Sequence, residues 1–203
     1  MRAATATSTT MVESSDGELM GRVAVGDRQA FADIVERHQR PLTAYLGRLC
    51  GSRDRAEELA QESFVRLFQA AGGYRDEGRL LPYLFRIGTN LLRSEERRRR
   101  RWRLMLPLVA GSNGHHAPAL GEATVLLDEL QQRVRRELQR LPFRFRVPLV
   151  LFEIEDWSYA DIAALLGCRQ GTVKSRIHRG RERLRQALSP YWHPATNETR
   201  GNG

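Results

Sequence analysis

Residues 158–188 read SYADIAALLGCRQGTVKSRIHRGRERLRQAL, and this order of signals constrains the chain to a helix-turn-helix more tightly than any other stretch constrains it. Ser158 followed by Asp161 resembles a capping box, with Asp in the place of the usual Glu. Ile162, Ala163, Leu165 and Leu166 supply the inward face of a short helix, and Gly167 can take the left-handed conformation that ends it. Cys168, Arg169 and Gln170 form a brief turn into a second helix. There Val173, Ile177, Leu184 and Leu188 share one face, while Ser175, His178, Arg179 and Glu182 lie opposite with Lys174 flanking. The N-terminal part of such a helix meets base edges in a major groove, so Arg169, Thr172, Lys174, Ser175, His178 and Arg179 are the candidate contacts. Lys174 and Arg179 can read guanine or hold phosphate, and Arg181, Arg183 and Arg185 would follow the backbone. A solvated amphipathic helix would show the same stripe without the preceding turn.

The rest of the chain is punctuated as helices, with no sustained strand alternation and no repeat. Asp27 can cap a helix carrying Phe31, Ile34 and Val35, which Pro41 bends or restarts before Leu42, Tyr45, Leu46 and Leu49. Gly51 ends that segment and Ser52 can cap RDRAEELAQESFVRLFQAA, which stops at Gly72-Gly73. After the loop YRDEGRL, Pro82 suits the first turn of a further helix. Between Leu104 and Gly121 the chain reads LMLPLVAGSNGHHAPALG, whose prolines and glycines break any helix and mark a linker. Beyond it Leu126, Leu130, Val134, Leu138 and Leu141 fall at helical spacing, and Pro148 is expected to kink the segment after Pro142. The expected architecture is therefore all-α: two small helical domains joined by a flexible linker. The expected parts are a disordered tail 1–17, domains over 18–103 and 122–189, linker 104–121 and tail 190–203. Tyr191 and Trp192 in the last segment can dock on the fold.

The first domain carries a second basic surface. Leu80, Leu84, Ile87 and Leu91 make an apolar stripe, with Arg86, Asn90, Arg93, Arg97 and Arg100 opposite it. The run Arg97–Arg101 extends the charge, Trp102 follows it, and Tyr83 and Phe85 precede it. Cations beside aromatic rings suit single-stranded nucleic acid, where phosphates are tracked and exposed bases stack. Tyr83 and Phe85 fit a core position as well as a stacking platform. The 203-residue chain has a formal net charge of +9, which favours a polyanionic partner, nucleic acid before an acidic membrane surface. Its two cysteines, Cys50 and Cys168, stand alone, so neither a disulfide framework nor a structural zinc site is expected. His115-His116 has no second pair to make a metal site. No run approaches a bilayer span and the N-terminus has no apolar signal core, so a cytoplasmic protein without membrane insertion is expected.

Together these segments resemble extracytoplasmic-function sigma factors of RNA polymerase. GTVKSRIHRGRERL, preceded by SYADIAALLG and LPFRFRVPLVL, is similar to their fourth conserved region. RAEELAQESFVRLF is similar to the polymerase-binding part of their second region, and LPYLFRIGTNLLRSEERRRR to the adjoining promoter-melting part. The resemblance spans residues 18–103 and 122–188. It implies that the first domain binds the clamp of core RNA polymerase and melts the −10 element, and that the second reads the −35 duplex and contacts the flap. It implies neither enzymatic activity nor a cofactor, and it implies an anti-sigma factor that masks the polymerase-binding surfaces. Tyr83, Arg86, Asn90, Arg93 and Arg97 fall on the −10 helix, and the loop Tyr74–Leu81 falls where a flipped base is held. Lys174, Ser175, His178 and Arg179 fall where −35 DNA is contacted. Tyr83 stands where the family often has Trp, Gly88 where Ala is common, and His178 at a variable position; these bear on promoter preference. The extra helical domains of a housekeeping sigma factor have no counterpart in the resemblance.

The polymerase-facing helix has its own pattern. Ala56, Leu59, Ala60, Ser63 and Leu67 face inward, while Glu58, Gln61, Glu62, Val65 and Gln69 face out. An apolar Val65 on a polar face suits a docking surface, or packing on a neighbouring helix. Two other function classes compete. A dimeric helix-turn-helix repressor would explain the second domain but not the basic helix of the first, and no sustained heptad offers a dimer seam. A recombinase would need a nucleophile or clustered carboxylates for metals; Glu57-Glu58 and Glu95-Glu96 sit on helical surfaces.

Overall fold

The structure, a computed structural model, describes residues 14–75, 78–105 and 125–192. Every regular element among them is helical. The first block holds α1 (Asp16–Ala24), α2 (Arg28–Cys50), α3 (Arg53–Ala70), a short 3₁₀ turn and α4 (Leu80–Met105). The second holds α5 (Val125–Arg140), α6 (Phe143–Glu153), α7 (Tyr159–Leu166) and α8 (Gln170–Trp192).

The helix ends follow local chemistry. Asp27 caps α2 by accepting from the amides of Gln29 and Ala30, and Ser52 caps α3 by accepting from that of Arg55. The helix α1 was not expected from apolar spacing; residues 1–17 read as a tail, yet Ser15 and Glu18 form a full capping box. The folded chain thus starts inside the expected tail, and Leu19, Met20 and Val23 of α1 join the core. At the other boundaries α4 runs one residue past Leu104, and α8 reaches Trp192 rather than stopping before 190. The linker residues 106–121, including His115-His116, lie outside the described residues, as do the outer parts of both tails. Pro41 does not restart a helix: α2 runs through it, as α6 runs through Pro148.

The core of the first block forms where α2, α3 and α4 meet. Ile34, Leu42, Leu46 and Leu49 of α2 pack with Leu59, Phe64 and Leu67 of α3 and with Leu84 of α4. Gly88 lets α4 approach closely: an added Cβ would lie 2.9 Å from Leu46 Cδ2 and 3.3 Å from Ser63 Oγ. An Ala at this position would have to displace the Leu46 side chain.

The two blocks pack against each other through a continuous core, which no sequence feature announced. Phe85 of α4 is buried between two rings. Tyr45 of α2 stacks on one face at 4.1 Å, and Trp157, from the turn before α7, stacks on the other at 5.6 Å. Asp156, in the left-handed region at φ 54°, shapes that turn, and the Trp157 amide donates to the Leu151 carbonyl. Polar contacts ring the stack. Arg146 of α6 pairs with Glu96 of α4, Arg48 with Glu155, and Arg79 with Asp161, while Gln139 Nε2 donates to the Arg48 carbonyl at 2.6 Å. Burial holds the Glu155 carboxyl above its ordinary range, opposed by Arg48. Burial likewise raises the Tyr45 phenol, whose hydroxyl is satisfied by Thr89 at 2.7 Å.

Candidate nucleic-acid and docking interfaces

The helix-turn-helix is built as its sequence requires. Ser158 accepts from the Asp161 amide and donates its own hydroxyl to the Asp161 carboxylate. Asp161 therefore does not reach back to the Ser158 amide, so this is a cap without the reciprocal half of the box. Gly167 takes φ 63°, closing α7 with its amide on the Ala163 carbonyl. Val173 and Ile177 are buried, which fixes the opposite face of α8 outward. Arg169, Lys174, Ser175, His178 and Arg179 are exposed there, and Thr172 is half-buried.

Their donors are differently engaged. Ser175 donates to the Thr172 carbonyl at 2.9 Å, and Lys174 Nζ stands 5.3 Å over the Tyr159 ring. Farther along, Arg181 is bound to Glu153 and Arg185 to Glu182. These two were read as backbone followers, and each already holds a carboxylate. Arg183 instead stands over the Phe145 ring at 5.3 Å.

On α4 the five candidate residues divide. Arg86, Asn90 and Arg97 are exposed on one stripe, and the exposed run Arg98–Arg101 leads to Trp102, 62% exposed. Tyr83 is half-buried, packed edge-on against Tyr74 at 5.5 Å, with Arg86 over its ring at 4.9 Å. Phe85 is core, so the stacking role open to it belongs to Tyr83 and Trp102 alone among these rings. Arg93 turns toward the second block, its guanidinium 5.9 Å from the Phe143 centroid. Burial, then the nearby Arg97 and Arg176, push it below its ordinary range. The loop before α4 is described at Tyr74–Arg75 and Gly78–Leu81; residues 76 and 77 lie outside the described residues.

The outward face of α3 carries Glu58, Gln61, Glu62 and Val65, all exposed, with Val65 at 50%. Glu58 pairs with Arg55 and Glu62 with Arg66. Phe68, missed in the sequence, is 43% exposed and meets Phe31 edge-on at 5.0 Å. Its position three residues beyond Val65 was the available signal. No described helix is long and apolar enough to cross a membrane, and the described residues hold no cluster of three metal-ligating side chains.

The comparisons match both blocks in this order. Residues 34–103 match the family model "Sigma-70 region 2", and residues 131–184 match "Sigma-70, region 4". The chain is 33% identical to the ECF RNA polymerase sigma factor SigW of Bacillus subtilis, over 82% of this chain and 93% of that one. It belongs to the extracytoplasmic-function sigma factors. The RNA polymerase sigma-H factor of Pseudomonas aeruginosa is 32% identical over 89% of this chain and 97% of its own. The ECF RNA polymerase sigma-E factor of Escherichia coli K12 is 31% identical over 87% and 95%. Among solved structures, the sigma factor RpoE of Bartonella quintana in complex with the anti-sigma factor NepR superposes with TM-score 0.63 at 27% identity. It covers 78% of this chain and 96% of that one. CnrH in complex with the cytosolic domain of CnrY gives TM-score 0.63 at 26% identity, covering 87% and 99%. The protein is thus an alternative sigma factor that directs transcription initiation, and the ordered match of both regions sets it apart from dimeric repressors.

For this sigma factor the exposed face of α3 is expected to carry polymerase binding. Gln61→Arg with Val65→Arg should weaken core binding about tenfold or more, because two new charges would be desolvated on a docking face. The thermal midpoint should stay within a few degrees, since both side chains are exposed. A titration of labelled protein with core polymerase checks this; unchanged affinity would remove the assignment.

Proposed function

We propose that the sigma factor grips core polymerase through Glu58, Gln61, Glu62, Val65 and Phe68 of α3. It reads and opens the −10 element through Tyr83, Arg86, Asn90, Arg93 and Arg97 of α4. It reads the −35 duplex through Arg169, Thr172, Lys174, Ser175, His178 and Arg179 around the start of α8. The domains doing so are residues 18–103 and 122–189, the first extended to Asp16 by the start of α1. The observation that carries this reading is the pair of separate exposed basic faces, one on α4 beside a Tyr ring and one on the second helix of a helix-turn-helix. Catalysis is left to the polymerase, and the protein acts in the cytoplasm. The flap contact expected of the second domain has an apolar groove of about 990 Å³ available, lined by Val134, Leu138, Ile154, Leu184 and Leu188. The two solved neighbours are held by an anti-sigma factor and by CnrY. A comparable anti-sigma partner that covers the polymerase-binding face completes the reading.

Promoter opening tests it. Arg86, Asn90 and Arg97 changed together to Ala should reduce permanganate reactivity of −10 thymines several-fold while closed complexes still form. The three side chains are exposed, so the fold should survive. Equal loss of closed and open complexes would reduce this stripe to a general electrostatic role.

A further inference from the structure

Resting on the −35 reading above, we propose that Arg144 and Arg183 form a notch that holds one backbone phosphate of the −35 duplex, beside the base-reading face of α8. The notch encloses about 660 Å³ between α6 and α8. Its walls include Arg144, His178, Arg179 and Arg183, with Phe145 at its base. Phe145 is buried, and two guanidiniums stand over its ring, Arg144 at 4.7 Å and Arg183 at 5.3 Å. Two like charges beside one ring repel, and an anion placed between them would turn that repulsion into attraction. Among the described residues neither of these arginines, nor Arg179, pairs with a carboxylate. Glu182 also lines the notch, but its oxygens accept from Arg185 at 2.6 Å and from Gln186 at 3.1 Å. Arg185 first, then Gln186 and His178 among its polar neighbours, hold that carboxyl below its ordinary range. The notch therefore keeps a surplus of positive charge.

Geometry selects phosphate over base. Arg183 lies 13 positions beyond Gln170, hence about 20 Å along the helix. A helix that reads bases with its N-terminal turns presents positions this far along, more than one turn beyond Arg179, to the backbone instead. Arg144 comes from α6, which cannot share the groove with α8. Arginine's fork suits a phosphodiester's paired oxygens, and the Phe145 ring gathers both guanidiniums at one place. His178 and Arg179 line the notch and also belong to the reading face. A phosphate held there would set the depth and register of α8 in the groove, a positioning role without sequence content of its own.

The test measures holoenzyme affinity for a promoter duplex as a function of salt. Arg144→Ala with Arg183→Ala should lower the slope of log K against log salt by about one unit. The preferred −35 sequence should not change. One methylphosphonate, placed by scanning each −35 phosphate in turn, should weaken the parent but not the double variant. Arg144→Lys with Arg183→Lys should restore most of the slope, which separates lost charge from lost packing on Phe145. Arg28→Ala with Arg40→Ala removes the same charge from exposed sites in the first block and should leave the slope unchanged. An unaltered slope in the Ala variant, or an altered −35 preference, would overturn the proposal. So would lost holoenzyme assembly with DNA binding intact, which would make the notch a protein contact. If Arg179→Ala shifts −35 preference while the double variant does nothing, the notch alone fails. If Arg179→Ala has no effect either, the −35 reading of α8 fails with it.

Discussion

Arg146→Ala is expected to destabilise the folded protein by about 3 kcal/mol, the lower end of the cost of breaking a buried ion pair. Arg146 is 6% exposed, and burial pushes its guanidinium below the ordinary range against the pull of Glu96. It donates to the Gln139 carbonyl at 3.1 Å and to Gln139 Oε1 at 2.6 Å, and it pairs with Glu96 across the two domains. Truncation would leave the Gln139 groups without that donor. Glu96 is partly exposed, so water would recover part of its loss. Arg146→Met keeps the stem and should lose less than half as much. Urea unfolding followed by circular dichroism decides this, and a cost below about 1 kcal/mol would mean that no buried pair holds here.

The same contact has a functional consequence. Promoter elements centred near −35 and −10 are about 25 base pairs apart, or about 85 Å along B-form DNA. In the packed arrangement Arg93 of α4 is close enough to Arg176 of α8 to feel its charge. For the two helices to occupy both elements at once, as proposed above, the domains would have to part along the Phe85–Trp157 stack.

Arg179→Ala is expected to relax preference at one or two −35 positions by about 1–3 kcal/mol, roughly five- to 150-fold in relative promoter strength. Arg179 is exposed on the face opposite buried Val173 and Ile177, with no internal carboxylate partner. Arg185, one to two turns farther on, is bound to Glu182. Arg185→Ala should lower affinity without altering preference, partly because it frees a carboxylate near the DNA backbone. A randomised −35 library transcribed by holoenzyme carrying each variant separates the two. An unchanged preference for Arg179→Ala and a changed one for Arg185→Ala would displace α8 from the groove as placed here.

What was legible in the sequence was local. The caps at Asp27, Ser52 and Ser158 and the left-handed Gly167 act within a few residues, so their meaning survives without the fold. The inward face of α3 was legible for the same reason, since helical spacing alone places Ala56, Leu59, Ala60, Ser63 and Leu67 together. The box at Ser15–Glu18 was equally local and was hidden by the polar, low-complexity stretch before it. Long-range pairing was not legible. Phe85 reads as platform or core until Tyr45 and Trp157 stack on its two faces from distant helices. Arg144 looks like one more solvated cation until α6 brings it to the ring shared with Arg183. Arg181 and Arg185 looked free for phosphates until Glu153 and Glu182 took them.

The most direct test of the account is transcription in vitro from a library with randomised −35 and −10 positions, with core polymerase and this protein supplied together and separately. The account predicts specific starts only with both present, from templates enriched in two elements. Arg179→Ala should change the −35 element alone, and the Arg86, Asn90 and Arg97 triple variant should lower opening without moving the −35 preference. Promoter-specific binding by the protein alone that equals binding with core, or starts that do not depend on its presence, would contradict it.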